Sequence, residues 1–295
     1  MSSGEPEVSV VIPCFRSRDT IGRTLESILK QDFRGSMHVL VADSSDDDTA
    51  QWIRRTFPDV EVCHSDTRLL PGPARNFGVE HSRGRFIAFI DADAQAAGNW
   101  LSTLYGRLNE DSNVVMVGAP VANGNPETVT SRVLYWIEFS EFLPRQPPRF
   151  CRILSSSNLL IRRKDFMAVQ GFNADYGMSE DMVFSLALGR GLYLETGTHI
   201  AHRHRTDWEK VRIHLDRLGY WSGRFRANVA VSGSWLRRMP FVSFGLTPYR
   251  LLQISKRVFK YETRPLRALF DLPRLVAGLW AWNKGFYRGI RLLPS

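Results

Sequence analysis

The amino-acid sequence predicts an α/β fold: a mostly parallel sheet flanked by helices, followed by a basic helical C-terminal region. Two observations support this prediction. Over roughly the first 120 residues, short apolar runs alternate with amphipathic segments, the pattern of a parallel sheet covered by helices. Beyond Thr206 the strand-like runs stop, and the segments mix Arg and Lys with Trp, Phe, Tyr and Leu.

Five apolar runs are typical of buried strands. In chain order they are Val8–Pro13, His38–Asp43, Val60–Ser65, Arg85–Asp91 and Val114–Pro120. The segments between them predict helices over Thr20–Gln31, Asp47–Thr56, Ala74–His81 and Asn99–Asn109. In the first of these helices, Ile21, Leu25 and Ile28 recur at one-turn spacing, so one face is apolar and suited to cover the sheet.

Further along, the proline-rich stretch 139–152 predicts an irregular loop over the site. The pattern predicts a helix over Met182–Leu188, with Glu180 and Asp181 at its N-terminus, and then a short strand, LYLET. We expect residues 1–205 to form one domain and residues 206–295 to form a basic amphipathic helical region.

Charge divides the chain in the same way. The chain of 295 residues has a net charge of +9, but residues 200–295 alone contain 19 Lys and Arg against 5 Asp and Glu. Such a region suits an anionic membrane surface, nucleic acid or phosphorylated small molecules. Its longest uncharged stretch, MPFVSFGLTPY, is too short to span a bilayer. Its apolar faces either contact the headgroup region of a membrane or pack on the body.

The cellular setting is expected to be the cytoplasm, at the cytoplasmic face of the cell membrane. Three widely spaced cysteines without a CxxC pattern favour reduced thiols over a disulfide framework or a zinc site. The N-terminal residues MSSGEPEVSV lack the basic and apolar regions of a signal peptide.

The most informative stretch is FIAFIDAD, a buried strand that runs directly into Asp91 and Asp93. Residues i and i+2 of an extended chain point to the same side, so the two carboxylates would repel each other without a cation between them. Hard oxygen ligands suit Mg²⁺ or Mn²⁺, which bind phosphates of a substrate with few protein carboxylates. Polar residues also follow the first and second strands, in PCFRS and DSSDDDT, at the sheet edge where ligands bind in such folds.

In this order, VVIP, VADSSDDDTA, GPARNFGVEHSRGRFIAFIDAD and SED resemble the family 2 glycosyltransferases, which have the GT-A fold. The resemblance covers residues 8–205. It implies transfer of a single sugar from a nucleotide-diphosphate sugar, with UDP the commonest carrier, to an acceptor hydroxyl, with inversion at the anomeric carbon. The QxxRW motif of the processive members is absent here.

The resemblance also assigns roles to individual residues. Asp181 matches the catalytic base, and Glu180 supports it. Asp93 and His202 are the implied metal ligands, with His204 in reserve. Contacts to the nucleotide sugar are implied for Pro13, Asp43, Arg75, Asp91 and Ala92. Ala42 stands where the family usually has a first acid, which leaves contact with the base to Asp43.

The implied partners are a nucleotide-diphosphate sugar donor and a glycan or lipid-linked acceptor, such as a polysaccharide precursor. Peripheral membrane contact through the C-terminal region is expected. A sugar-nucleotide-forming nucleotidyltransferase is an alternative, although the stretch PCFRSRDT lacks the glycines usual for that class. A basic nucleic-acid-binding module is another, but acids at the groove would repel phosphates, so no nucleic-acid partner is expected.

Overall fold

The computed structural model describes residues 5–291, which form two compact units. The first comprises the residues up to Ala122 together with Pro147–His202. The second comprises Asn123–Gln146 and the chain from Arg203 onward. The second unit thus includes a segment that lies inside the predicted domain 1–205. A division into functional domains between residues 205 and 206 stays a prediction.

The elements of secondary structure follow the predicted alternation closely over the first half of the chain. Within residues 5–291 the strands are β1 (Val8–Cys14), β2 (Met37–Asp43), β3 (Glu61–His64), β4 (Phe86–Ile90), β5 (Ala94–Ala96), β6 (Met116–Gly118), β7 (Val121–Asn123), β8 (Arg149–Cys151), β9 (Asn158–Arg162), β10 (Leu192–Leu194) and β11 (Ile200–His202). The α-helices are α1 (Arg18–Leu29), α2 (Thr49–Thr56), α3 (Pro71–Glu80), α4 (Trp100–Glu110), α5 (Val129–Phe139), α6 (Arg163–Ala168), α7 (Glu180–Leu188), α8 (Trp208–Asn228), α9 (Leu246–Tyr261) and α10 (Arg267–Ile290).

The main sheet has the strand order β3-β2-β1-β4-β9-β6-β10-β8. The first four strands are parallel to one another, as are β6 and β10. Strand β9 runs antiparallel to both of its neighbours, and β8 is antiparallel to β10 at the edge. The prediction of a mostly parallel sheet flanked by helices is confirmed. The parallel register also brings the carboxyl ends of β1, β2 and β3 to one edge of the sheet.

Burial explains why these segments adopt their predicted structures. Every residue of β4 is buried, and so is every residue of β1 except Pro13. Helix α1 buries Ile21, Leu25 and Ile28, the apolar face seen in the sequence. Helix α3 begins three residues before the predicted start at Ala74, because a proline is favourable in the first turn of a helix.

The segment 139–152 is more regular than predicted. It contains a 3₁₀ helix over Ser140–Phe142 and the edge strand β8, which pairs with β10. Prolines 147 and 148 precede β8, where the absence of an amide N–H leaves the strand pairing intact. The position of this segment over the site stays a prediction.

The second unit is built mainly from α5, α8, α9 and α10. Asp271 of α10 is buried and accepts two hydrogen bonds from Arg132 of α5, at 2.6 and 2.8 Å. Helices α8 and α10 pack with their backbones close together along a glycine seam, which we define as Gly219 and Gly223 on α8 with Gly285 and Gly289 on α10. A Cβ atom on any of the four would overlap backbone atoms of the opposite helix.

Exposed apolar side chains are concentrated on α9, α10 and the segment before them. We define the outer apolar face as the exposed residues Tyr249, Leu252 and Phe259 of α9 with Leu269, Phe270, Val276 and Trp280 of α10. Phe270 is 84% exposed. The solvent-facing sides of both helices thus carry large apolar side chains next to exposed cations such as Lys256, Arg274 and Lys284. No helix within residues 5–291 is long and apolar enough to cross a membrane.

Candidate active site

Three potential metal ligands come together in the first unit, at the end of β4 and on the neighbouring small sheet. Asp91 directly follows β4, and Asp93 comes two residues later. His202 is the last residue of β11. Strand β11 pairs antiparallel with β5, and His202 lies opposite Ala94 of β5. The His202 Nε2 atom lies 3.1 Å from Asp93 Oδ1 and 3.8 Å from Asp91 Oδ2. One ligand atom from each residue lies within 4.8 Å of the others.

The electrostatics of this group fit a divalent cation. Burial alone would lower the pKa of His202, but the carboxylates of Asp93 and Asp91 outweigh it and raise this pKa well above its usual value. A proton on the imidazole thus balances the two acids. Two carboxylates and an imidazole nitrogen are donors that Mn²⁺ and Mg²⁺ accept in proteins, so the residues present fit such an ion.

Arg75 of α3 links this group to Glu180, the neighbour of the predicted base Asp181. Its side chain is 2% exposed, and its Nη2 atom donates to Asp91 Oδ1 at 2.5 Å. Its Nη1 atom donates to Glu180 Oε1 at 3.2 Å. Burial raises the pKa of Asp91, but the charges of Arg75 and His202 dominate and hold it below the usual value. In this structure the guanidinium binds two carboxylates of the chain itself, and contact with a nucleotide stays a prediction.

Glu180 and Asp181 open helix α7, as the sequence predicted. Glu180 is buried and also accepts a hydrogen bond from Ser156 Oγ at 3.3 Å. Burial raises its pKa. Burial, with the nearby charge of Glu180, raises the pKa of Asp181 to about 7. A carboxyl group with a pKa near neutrality can both hold and release a proton under physiological conditions.

A second polar cluster lies at the ends of β2 and β3. Asp43 is fully buried and accepts hydrogen bonds from Ser45 Oγ at 2.6 Å and from Ser45 N at 3.2 Å. The His64 Nδ1 atom lies 2.7 Å from Asp43 Oδ2. The sequence analysis did not predict a role for His64. A signal for it was present, since parallel register places the last residues of β2 and β3, Asp43 and His64, side by side.

Residues at the end of β1 and directly after it complete the surroundings of this cluster. Pro13 lies in β1 opposite Ala42 of β2. Phe15, which was also missed, carries the guanidinium of Arg68 over its ring at 4.3 Å. The ring offers a flat apolar surface next to a cation, an arrangement that can accommodate a planar base. Ala92, between the two acids, is buried and brings no polar side chain to the site.

His204 belongs to the second unit and is not a member of the metal-ligand group. It is 4% exposed and packs against the rings of Tyr135 and Phe139, with centroids 5.5 and 5.7 Å away. His202 and His204 therefore lie in different surroundings, because β11 ends at His202 and the chain then leaves the sheet.

Comparisons with known proteins agree with this geometry. The model of the family described as Glycosyl transferase family 2 matches residues 9–169. Glycosyltransferase AglE of Haloferax volcanii is 28% identical over 172 residues, 55% of this chain and 55% of that protein. The UDP-Glc:alpha-D-GlcNAc-diphosphoundecaprenol beta-1,3-glucosyltransferase WfgD of Escherichia coli is 28% identical over 137 residues, 42% of this chain and 53% of that protein.

Among solved structures, the mannosyltransferase PcManGT from Pyrobaculum calidifontis, in complex with GDP-Man and Mn²⁺, has a TM-score of 0.58. It is 18% identical and the match covers 95% of this chain and 86% of that one. The fold is that of the GT-A glycosyltransferases. The family match covers more than half of the residues, and the chain belongs to glycosyl transferase family 2. The chain spans about half of the length of the curated relatives it matches.

Proposed function

We propose that this chain transfers a single sugar from a nucleotide-diphosphate sugar to an acceptor hydroxyl, with inversion at the anomeric carbon. The observation that carries the proposal is the chain of contacts through Arg75, which ties Asp91 of the metal-ligand group to Glu180, the neighbour of Asp181. Residues that would hold a divalent ion are thereby joined to the residue next to the proposed base, Asp181. Both kinds of residue are needed for glycosyl transfer in a single displacement.

The donor is a UDP-sugar in this proposal. Asp43, held by Ser45 and His64, presents carboxylate oxygens that can accept a hydrogen bond from a base N–H, and Phe15 offers a ring for stacking. Asp91, Asp93 and His202 would hold a divalent ion, Mn²⁺ or Mg²⁺, which would supply positive charge against the departing diphosphate. The imidazole ligand favours Mn²⁺ over Mg²⁺. WfgD, one of the relatives, is named for a UDP-Glc donor.

Asp181 is the base in this proposal. In its ionised form it accepts the proton of the acceptor hydroxyl as that oxygen attacks the anomeric carbon from the side opposite the diphosphate. Glu180 supports the base rather than acting as one, because Arg75 and Ser156 both donate to its Oε1 atom and orient its side chain. Burial is the larger cause of the raised pKa of Asp181. The negative charge of Glu180 raises this pKa further and so makes Asp181 a stronger base. One displacement inverts the anomeric carbon without a covalent intermediate.

The acceptor is a lipid-linked glycan precursor, and the protein contacts the cytoplasmic face of the membrane through the outer apolar face. Support comes from WfgD, which is named for a diphosphoundecaprenol acceptor. The outer apolar face lies in a region with 19 Lys and Arg against 5 Asp and Glu, a combination that binds anionic bilayers. The residues that face lipid are aromatic and aliphatic, and the surrounding cations meet phosphate headgroups.

Metal-dependent turnover tests this function. We expect hydrolysis or transfer with one of a panel of UDP-, GDP- and dTDP-sugars in the presence of Mn²⁺. Asp93→Asn, which removes a ligand charge but keeps the shape, should reduce kcat by about two to three orders of magnitude and weaken Mn²⁺ binding measured by calorimetry. Asp32→Asn, at an exposed carboxyl hydrogen-bonded only to Ser102 in the first unit, is the matched control.

The same assay separates the alternatives. A nucleotidyltransferase would release pyrophosphate from a nucleoside triphosphate and a sugar 1-phosphate, and the wild type should not. If Asp93→Asn turns over the donor at the wild-type rate, or if the wild type works equally well in chelator, the proposed function is wrong.

A further inference from the structure

The chain reaches Glu180 and Asp181 through residues 169–179, which we call the approach segment. Gln170 and Gly171 in this segment have positive φ angles of 61° and 69°. Such angles are unfavourable for a residue with a Cβ atom, so the turn at Gln170 is strained and contacts from elsewhere must hold it in place. The path of the segment therefore depends on the elements packed against it.

Asn76 of helix α3 holds the approach segment with two hydrogen bonds. Its Nδ2 atom donates to the carbonyl oxygen of Phe172 at 2.7 Å, and its Oδ1 atom accepts from the backbone N–H of Phe172 at 2.9 Å. Phe172 is 2% exposed, so its backbone groups need partners within the protein. A Cβ atom at Gly171 would lie 2.6 Å from Asn76 Oδ1. Glycine at this position therefore permits both the turn and the close approach of the amide.

Phe172 contacts the helix that begins with the two acids. Its ring centroid lies 4.5 Å from that of Phe184, which is one turn further along α7 than Glu180. Both rings are buried in a closely packed core, where side chains have little room to move. A displacement of Phe172 would therefore displace the start of α7 as well.

The same face of α3 also contacts Glu180 directly. Gly72, Arg75 and Asn76 lie at positions i, i+3 and i+4, which share one side of a helix. A Cβ atom at Gly72 would lie 3.1 Å from Glu180 Cγ and 3.2 Å from Phe172 Cβ. Arg75 donates to Glu180 Oε1 at 3.2 Å. One helix face thus sets the position of the approach segment and of the first acid.

We propose that Asn76 is a positioning residue for the transfer reaction. By fixing Phe172 it fixes the approach segment, and with it the place of the Asp181 carboxylate. The inference rests on the proposed function, which makes Asp181 the base. A general base works only within hydrogen-bonding reach of the hydroxyl that it deprotonates, and a displacement of about 1 Å lowers rates by about a hundredfold. Asn76 acts through the backbone of Phe172 and needs no contact with the substrate.

Steady-state kinetics of Asn76→Ala test this role. The substitution removes both bonds to Phe172, and we expect kcat to fall by about tenfold to a hundredfold. Binding of UDP with Mn²⁺, measured by calorimetry, should be unchanged, because the lost bonds are to the approach segment and not to the metal-ligand group. The fall of kcat/KM under acidic conditions, which a base at Asp181 predicts, should move to lower pH. Burial is the larger cause of the raised pKa of Asp181, and a loosened segment admits water.

Gln31→Ala is the matched control in the same unit. The Gln31 amide also binds the backbone of a distant segment, donating to the Ala97 carbonyl oxygen at 2.8 Å and accepting from the Leu101 N–H at 2.9 Å. Gln31→Ala and Asn76→Ala should each lower the Tm by several degrees, because backbone groups lose their partners. Only Asn76→Ala should lower kcat and move the pH profile.

Asn76→Asp provides the test if Asn76→Ala does not fold. It keeps the shape of the side chain and the oxygen that accepts from the Phe172 N–H. It replaces the donor nitrogen by an oxygen that faces the Phe172 carbonyl, so one of the two bonds is lost. We expect this variant to fold and to lose kcat, with unchanged binding of UDP and Mn²⁺.

Wild-type kcat and an unshifted pH profile in a folded Asn76 variant would overturn the positioning role. An equal loss of kcat in Asn76→Ala and Gln31→Ala, with the profile unshifted in both, would also overturn it, since that result reports general destabilisation. Failure of the proposed function looks different. A wild type without metal-dependent turnover, or with a flat pH profile, would remove the base itself and this inference with it.

Discussion

At the scale of single residues, Asp181 leads to a prediction about pH. Because burial and Glu180 raise its pKa to about 7, the base is mostly protonated under acidic conditions. We expect kcat/KM to fall about tenfold per pH unit below 7 and to level off above it. Asp181→Asn should lower kcat by two to four orders of magnitude, roughly, and remove this acidic limb. A flat profile between pH 5 and 8 in the wild type would contradict the role.

The same pKa has a consequence for stability that serves as a control. The folded state keeps the Asp181 proton up to about pH 7, whereas an unfolded Asp releases it near pH 4, roughly. Ionisation of Asp181 therefore costs stability as pH rises from about 4 to 7. Asp181→Asn removes that cost, so at pH 8 the variant should unfold at the wild-type temperature or above. Lost activity then reports on chemistry and not on folding.

His64 provides a second prediction at this scale. Its removal leaves Asp43 with the bonds from Ser45 alone, so the carboxylate is less firmly oriented. We expect His64→Gln to weaken UDP binding by about tenfold with little change in kcat. His38→Gln is the matched control, because His38 pairs with Glu61 at 2.9 Å near the beginning of β2, far along the strand from Asp43. Equal losses in the two variants would argue against a special role for His64.

At the scale of elements, the first half of the chain was predictable because the apolar residues of each segment recur with the period of a strand or of a helix. Strands β1 to β4 and helices α1 to α4 start and end within a few residues of the predicted ranges. The direction of β9 was not predictable, since a run such as NLLIR has the same composition in either orientation. Its antiparallel pairing depends on contacts with β4 and β6 that are distant in sequence.

The candidate site follows the same logic. Asp91, Asp93 and Asp181 could be found because acids next to an apolar strand or at a helix start are conspicuous. The link through Arg75 could not be predicted. Nothing in the PARN sequence shows that this arginine is buried, with 2% of its side chain exposed, or that it pairs with two acids far apart in the chain. His202 and His204 could be separated only once β11 was seen to end between them.

The glycine seam yields a prediction about stability. Gly285→Ala places a methyl group against the backbone of α8 near Asp216. We expect a loss of about 1–3 kcal/mol in the free energy of unfolding, measured with denaturant, because packed backbones cannot move apart without opening the unit. Gly106→Ala on α4 is the control, since a Cβ there has only the tip of Glu110 within 4 Å. It should be neutral or slightly stabilising. Tolerance of both substitutions would show that the two helices are free to separate.

At the scale of the whole molecule, the outer apolar face predicts peripheral binding to anionic vesicles. Leu269→Ser with Phe270→Ser should reduce vesicle affinity by about tenfold or more, since each side chain loses the transfer energy of buried apolar surface. Stability should not change, because the two side chains are 56% and 84% exposed. Met167→Ser in the first unit, 59% exposed, is the control. Unchanged sedimentation with vesicles in the double variant would refute membrane contact through this face.

Sequence composition alone left the role of the C-terminal region open between packing and membrane contact. The structure shows that some apolar residues of this region are buried by packing and others are exposed, and membrane contact of the exposed ones stays a prediction. Leu275, Leu279 and Phe286 of α10 are buried, whereas Phe270 and Trp280 of the same helix are exposed. The sequence could not separate them, because the helix is apolar over much of its circumference and only its neighbours decide which side is covered.

The glycine seam also limits how this chain can diverge. One extra residue between Gly219 and Gly223 would turn the second glycine by about 100° and direct a side chain into the opposite helix. Insertions and deletions should therefore accumulate among natural variants in the connection between α8 and α9, residues 229–245, where neither Gly233 nor Gly245 packs against the backbone of another helix. The four-residue spacing within α8 and within α10 should hold even where nearly every other position has changed.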